Sequence, residues 1–213
     1  MNLIRNTFLA LLGVLLTTMS ANAALINIDF PSSRGTEPTP PSTFGAASGQ
    51  AGVWNTVSQS GAQSLLDITG AASGVGLSIV GSNGASGRLT PAPADVAALL
   101  NDGIRKDADL LTLTFSGLEA GLYDVFTYAL NSPDLNDGAT VSVLGSVDAA
   151  QSINGVWGGA FVSGTNYSLH RLSLGAGENL TLNVTAISGA EFARVAGIQL
   201  VRATSVPEPG TLA

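Results

Sequence analysis

Leu111-Thr112-Leu113-Thr114-Phe115 and Leu180-Thr181-Leu182-Asn183-Val184 alternate without a break between apolar side chains and hydroxyl or amide ones. Successive side chains of a strand point to opposite faces, so each stretch has one apolar face to bury and one polar face to leave in water. Runs of similar character lie on both sides of them, at residues 25–30, 52–57, 64–68, 75–80, 123–130, 140–144, 168–174 and 194–201. Nearly all are short, and Gly, Pro, Ser and Asn separate them. About ten such strands predict an all-β fold, a two-sheet antiparallel β-sandwich. Residues 31–42 (PSSRGTEPTPPS) cannot continue the first strand and form a long loop. Only residues 91–104 depart from the pattern. Prolines at the start, Val96, Leu99 and Leu100 at helical spacing and Gly103 near the end predict one short helix whose apolar face covers an open end of the sandwich.

Composition narrows the chemistry. The 213 residues include 26 glycines, no cysteine and one histidine, and only 11% are charged. Without cysteine there are no disulfides, no thiolate catalysis and no Cys-based metal site, and a single histidine rules out two- and three-histidine metal centres. A net charge of −7 excludes the basic footprint that nucleic acid requires.

Both ends read as addresses rather than as fold. Arg5, the apolar residues 8–16 (FLALLGVLL) and Ala21-Asn22-Ala23 make the three parts of a signal peptide, 1–23, with cleavage by signal peptidase after Ala23. The apolar run is too short to span a bilayer. Loss of Arg5 leaves seven basic residues against fifteen acidic ones, a charge of −8. Residues 24–203 are then the sandwich domain, and 204–213 are a linker that ends in Val206-Pro207-Glu208-Pro209-Gly210-Thr211-Leu212-Ala213. This string resembles the opening of a PEP-CTERM sorting signal, with Pro207, Glu208 and Pro209 as its motif. The resemblance implies a Gram-negative exported protein, processed by an exosortase-type sorting enzyme and placed on the cell surface or in the extracellular matrix. It also leads us to expect about twenty apolar residues and a basic cluster encoded after Ala213. Phe115-Ser116-Gly117-Leu118-Glu119-Ala120-Gly121-Leu122-Tyr123-Asp124-Val125 is similar to a hairpin of jelly-roll domains, galactose-binding-like carbohydrate modules among them. The closing Val195-Ala196-Gly197-Ile198-Gln199-Leu200-Val201 is similar to their last strand. Both imply a jelly-roll-like fold and transfer no binding residue.

Several residues carry candidate chemistry. Trp54 beside Asn55, and Trp157 near Asn154, each pair a flat ring with an amide, as a sugar platform requires; the same rings suit a sandwich core equally. Asp134, Asn136 and Asp137 space three oxygen side chains around a turn like half of a calcium loop, without the downstream glutamate, and such residues also favour turns for their own backbone bonding. Asp124, Glu119, Asp134 and Asp137 are the carboxylates from which a glycosidase pair would be drawn. His170, on a strand, reads as a residue at the core's edge; a Ser-His-Asp triad would need it, yet no G-x-S-x-G elbow is present. No cofactor is expected. Three function classes follow: a non-catalytic surface or matrix protein that binds exopolysaccharide, a passive structural or adhesive domain, and a secreted carboxylate-dependent glycoside hydrolase. The first is the expectation carried forward.

Overall fold

The computed structural model describes residues 25–31, 38–57, 61–87, 92–107, 110–130 and 138–203. The leader with Ala21 and Ala23, the loop holding Asp134, Asn136 and Asp137, and the Pro207-Glu208-Pro209 motif lie outside them. In chain order the strands are β1 (Ile26–Asp29), β2 (Trp54–Thr56), β3 (Gly61–Leu66), β4 (Ala72–Val80), β5 (Gly84–Gly87), β6 (Asp102–Asp107) and β7 (Leu111–Ser116). They continue as β8 (Gly121–Tyr128), β9 (Ala139–Val143), β10 (Gln151–Ile153), β11 (Tyr167–Leu174), β12 (Leu180–Ala186), β13 (Phe192–Val195) and β14 (Gly197–Arg202). One helix, α1 (Ala94–Leu100), precedes β6. The fold is all-β, as the alternation predicts. No helix of the described residues is long and apolar enough to cross a membrane.

The two stretches that decide the fold lie side by side. β12 pairs antiparallel with β7, setting Leu180, Leu182 and Val184 opposite Phe115, Leu113 and Leu111. β9 adds Val143 and Val141 beside Leu182 and Val184 on the same face. Together with β10, β4 and β3 they make a six-stranded sheet in the order β10-β9-β12-β7-β4-β3. A five-stranded sheet, β11-β8-β14-β1-β2, lies against it and contributes Ile26, Ile28, Tyr123, Val125, Ile198 and Leu200 to a common core. Burial of each such side chain stabilises the fold by about 1.5–3 kcal/mol. Within the larger sheet the polar faces of the same strands remain toward water: Thr112 Oγ1 donates to Asn183 Oδ1 at 3.1 Å.

The expectation of two sheets needs one correction. A third, small sheet, β13-β6-β5, is formed by Gly84–Gly87, Asp102–Asp107 and Phe192–Val195. Neither Gly-Ala-Ser-Gly nor Asp-Gly-Ile-Arg-Lys-Asp shows an apolar alternation, so nothing in their pattern marks them as strands, although Ile104 of β6 reaches the main core. Arg105 lies over the Phe192 ring at 4.0 Å, a cation–π contact that joins β6 to β13. The run at residues 194–201, read as one strand, is two. Ala196 N–H donates to Tyr128 O at 2.8 Å, and the chain passes there from the small sheet to the five-stranded one.

The five-stranded sheet is covered on its far side too. α1 lies against it at β14, so close that a Cβ on Gly197 would meet Leu99 Cδ1 at 2.5 Å and Ile28 O at 2.6 Å. The helix thus covers the outer face of a sheet rather than an open end of the sandwich. Beside it, residues 44–50 form a strap. Gln199, fully buried, accepts from Tyr128 Oη at 2.6 Å and from Ser48 Oγ at 2.8 Å, and its Nε2 donates to Asn27 Oδ1 at 2.8 Å and Gln50 O at 2.9 Å. Ala47 N–H donates to Tyr128 Oη in turn, at 3.1 Å. These bonds satisfy Gln199 of β14 and Asn27 of β1 on that side and close the β14–β1–β2 half of the outer face.

Asp29 ends β1 on this covered side, buried, with Oδ1 lacking any hydrogen-bond partner among the described residues. Burial, and then the neighbouring Asp102 charge, push its carboxyl up to about 9 from an ordinary 3.8. The folded chain therefore holds a proton that the unfolded chain releases above pH 3.8. The stability from that proton is complete below pH 3.8 and declines as pH rises toward 9. Asp29→Asn should abolish this slope and stabilise the protein at pH 8 by about 1–3 kcal/mol, with little gain at pH 4. Urea titrations of both proteins at the two pH values measure it; equal differences at both would refute a protonated Asp29.

Candidate ligand-binding face

The strap and helix reach as far as Tyr128 of β8 and leave open the rest of the outer face made by β8 and β11. In their antiparallel register Tyr167 lies opposite Tyr128, Leu169 opposite Phe126 and Arg171 opposite Asp124. These three rows share the outer face because they are two residues apart on each strand. The span from Tyr167 to Arg171 is then about 13 Å. Phe126 and Tyr167 stack with centroids 5.8 Å apart at 29°. Phe161 meets Tyr167 edge-on at 6.5 Å, and Trp157 meets Phe161 edge-on at 5.2 Å. All four rings, and Leu169, are half-buried, with part of each surface in water. A chain of aromatic faces thus runs from Trp157 along the surface to Phe126.

At its far end is a polar depression of about 370 Å³ lined by Asp124, Val147, Asp148, Leu169 and Arg171. Arg171 Nε and Nη2 donate to the two carboxylate oxygens of Asp124 at 2.6 and 2.8 Å, a bidentate pair. Hydrogen bonding and attraction from Asp124 hold the guanidinium above its ordinary pKa. The wall comes from residues 146–151, which cover the edge of β11. Arg171 N–H donates to Asp148 Oδ2 at 2.6 Å, and Arg171 O accepts from Ser146 Oγ at 2.8 Å. Gln151 Oε1 accepts from Leu169 N–H at 3.2 Å while its Nε2 donates to Leu169 O. The outward backbone groups of Leu169 and Arg171 on this edge strand are thereby paired and closed to another chain.

The residues singled out from sequence fall in different places. Trp157 stands in the aromatic chain, with Asn154 exposed nearby in sequence. Trp54 does not present the open ring expected of a platform. It is 6% exposed, stacks on Phe44 at 6.2 Å and donates from Nε1 to Phe44 O at 3.2 Å. The Asn55 amide is engaged by backbone, donating to Asn27 O and Leu66 O at 3.0 and 2.8 Å and accepting from Leu66 N–H at 2.8 Å. The reason is register: β2 runs parallel to β1 with Trp54 opposite Asn27, beneath the strap. Among the glycosidase candidates, Asp124 is held by Arg171 and Glu119 by Arg202 at 3.3 Å, each in its own ion pair. His170 faces the core opposite Val125, fully buried, and burial pushes its imidazole below the ordinary range. Ser168 and Thr127, opposite each other, are buried on the same inner face.

No protein-family model matches the chain, and no curated protein matches it. Its fold does have counterparts among solved structures. The ANXUR2 extracellular domain from Arabidopsis thaliana superposes with a TM-score of 0.51 at 12% identity, over 85% of this chain and 49% of that one. The ANX2 ectodomain of the same plant gives 0.50 at 12% identity, over 85% and 50%. The chain spans about half the length of these ectodomains, and the likeness is one of fold.

Phe126, Phe161, Tyr167, Leu169, Asp148 and Arg171 were not candidates in the sequence reading. One signal for them exists. Residues 123–130 (YDVFTYAL) are apolar on both faces, which marks a strand covered on both sides, and an outward aromatic there lies either beneath a cover or on a ligand.

Proposed function

We propose that this protein is a non-catalytic, exported glycan-binding sandwich, carried to the surface or matrix of a Gram-negative cell by the leader and by the sorting signal that its Pro-Glu-Pro string resembles. The observation that carries the binding is the half-exposed chain Trp157, Phe161, Tyr167 and Phe126 leading to the Asp124–Arg171 pair. Sugar rings present C–H faces that stack on aromatic faces and hydroxyls that both donate and accept. A row of rings beside a paired acid and base meets both needs. The face is open and shallow, which suits the side of a polymer more than an enclosed monosaccharide. Chemistry on a glycan would call for two carboxylates converging on one bond; Asp124 and Glu119, each in its own ion pair, support holding a chain rather than cutting it.

The test is retention of the purified domain on insoluble bacterial exopolysaccharides. Trp157→Ala should reduce retention at least tenfold while the melting temperature changes by less than about 4 °C, since the ring is only half-buried. Retention unchanged in that variant, or absent in the parent on every polysaccharide, would favour the passive structural or adhesive role.

A further inference from the structure

The charge of the polar depression points to the kind of glycan. We infer that the β8–β11 face selects a neutral polysaccharide, read through vicinal hydroxyls, and rejects uronic and sulfated ones; this rests on the glycan-binding reading and narrows it. Two carboxylates, Asp124 and Asp148, line the depression against one guanidinium, Arg171. That guanidinium is already engaged. Its Nε and Nη2, the edge that a carboxylate or sulfate would grip in bidentate fashion, are both taken by Asp124. An anionic sugar would have to displace Asp124 from Arg171 and then sit beside two like charges, on a chain whose net charge as encoded is −7.

A hydroxyl faces no such conflict. It donates and accepts at once, so one member of a vicinal pair can donate to a carboxylate oxygen of Asp124 or Asp148 while its neighbour accepts from Arg171 Nη1, the nitrogen not turned to Asp124. The ion pair stays intact and holds both partners in place. Leu169 and Phe126 form the next row along the strands and offer the apolar surface against which the same sugar, or the next one in the chain, would lie. The neutral polymer gains its stacking and its hydrogen bonds without the desolvation of a new charge.

Three insoluble polymers separate the classes: a neutral β-glucan, a calcium-free polyuronate gel, and chitosan as the cationic case. The parent protein should be retained on the glucan alone at about 500 mM salt, where the pull of an acidic chain toward chitosan is screened, and its glucan retention should change little between about 50 and 500 mM because no net charge is neutralised. Asp124→Asn keeps the shape but releases the Arg171 fork. It should lower glucan retention about tenfold and raise polyuronate retention at least fivefold at low salt, a gain that misfolding would not produce. Parent retention on polyuronate or on chitosan in preference to glucan would overturn the neutral-ligand inference while leaving glycan binding in place, and so would unchanged glucan retention in Asp124→Asn. Retention on none of the three would overturn both.

Discussion

Arg194→Met should lower the stability of the protein by about 3–5 kcal/mol, near the top of what a single substitution produces. Arg194 lies on β13, wholly buried, and its guanidinium ties three parts of the fold together. Nη2 donates to Leu100 O at 2.8 Å, the last carbonyl of α1, and to Asp102 O at 2.7 Å at the start of β6. Nη1 donates to Leu130 O at 3.1 Å, just past β8. Helix ends leave carbonyls without intrahelical partners, and here the small sheet supplies the donor through one side chain. Methionine fills the volume of the stem but leaves three carbonyls without their charged donor. Each such group costs about 1–3 kcal/mol when it cannot reach water. For a domain of this size the melting temperature should fall by about 10 °C, read by calorimetry, and amide exchange should quicken first in α1 and β6. Arg194→Lys should recover only part of the loss, since an ammonium lacks the planar fork that spans carbonyls from separate segments. A melting temperature within 2 °C of the parent would show the fork to be dispensable.

Trp54→Ala is the second large effect, also about 3–5 kcal/mol, and it separates packing from binding. The ring belongs to a second core on the outside of the five-stranded sheet, with Val96, Leu99, Leu100, Tyr128, Leu130 and Ala196; Phe44 packs beside it, and Phe126, Trp157, Phe161 and Tyr167 pack against the edge of the same cluster. Its removal opens a cavity under the strap and frees Phe44 O from its donor. The folded fraction of the variant should keep most of its retention on polysaccharide, because Trp54 is on β2, three places from β8 in the sheet order, and meets the aromatic chain only through Phe44, whose ring lies 6.2 Å from that of Phe161. Loss of retention at unchanged stability would instead make Trp54 a ligand contact. Together with Trp157→Ala this gives opposite signatures for the two tryptophans, which the sequence presents in nearly identical settings, Gly-Val-Trp each time.

That near-identity shows where sequence reading ends. Period-2 alternation in Leu111–Phe115 and Leu180–Val184 names the faces of β7 and β12 because one face of each is in water, and there pattern and burial agree. It says less wherever both faces are covered. Residues 194–201 are apolar almost throughout, so nothing in them marks the break at Ala196, and residues 102–107 are polar enough to pass for the end of a helix. α1 itself was legible from its prolines and apolar spacing, while the surface it covers was not.

What the sequence determines by itself is local: strands of these lengths, one short helix, faces of opposite polarity, and a chain without cysteine and with a net charge of −7. Which strand lies beside which is decided by the tertiary structure, since register joins residues far apart in the chain. Asp124 meets Arg171, and Phe126 meets Leu169 and Tyr167, only because β8 pairs with β11 across more than forty residues. The same pairing, with the strap closing the other half of the sheet, buries Trp54 and leaves Trp157 at the surface. A side chain's own chemistry is written in its codon, but whether water, a neighbour or a ligand faces it depends on what the rest of the chain places against that side of the sheet.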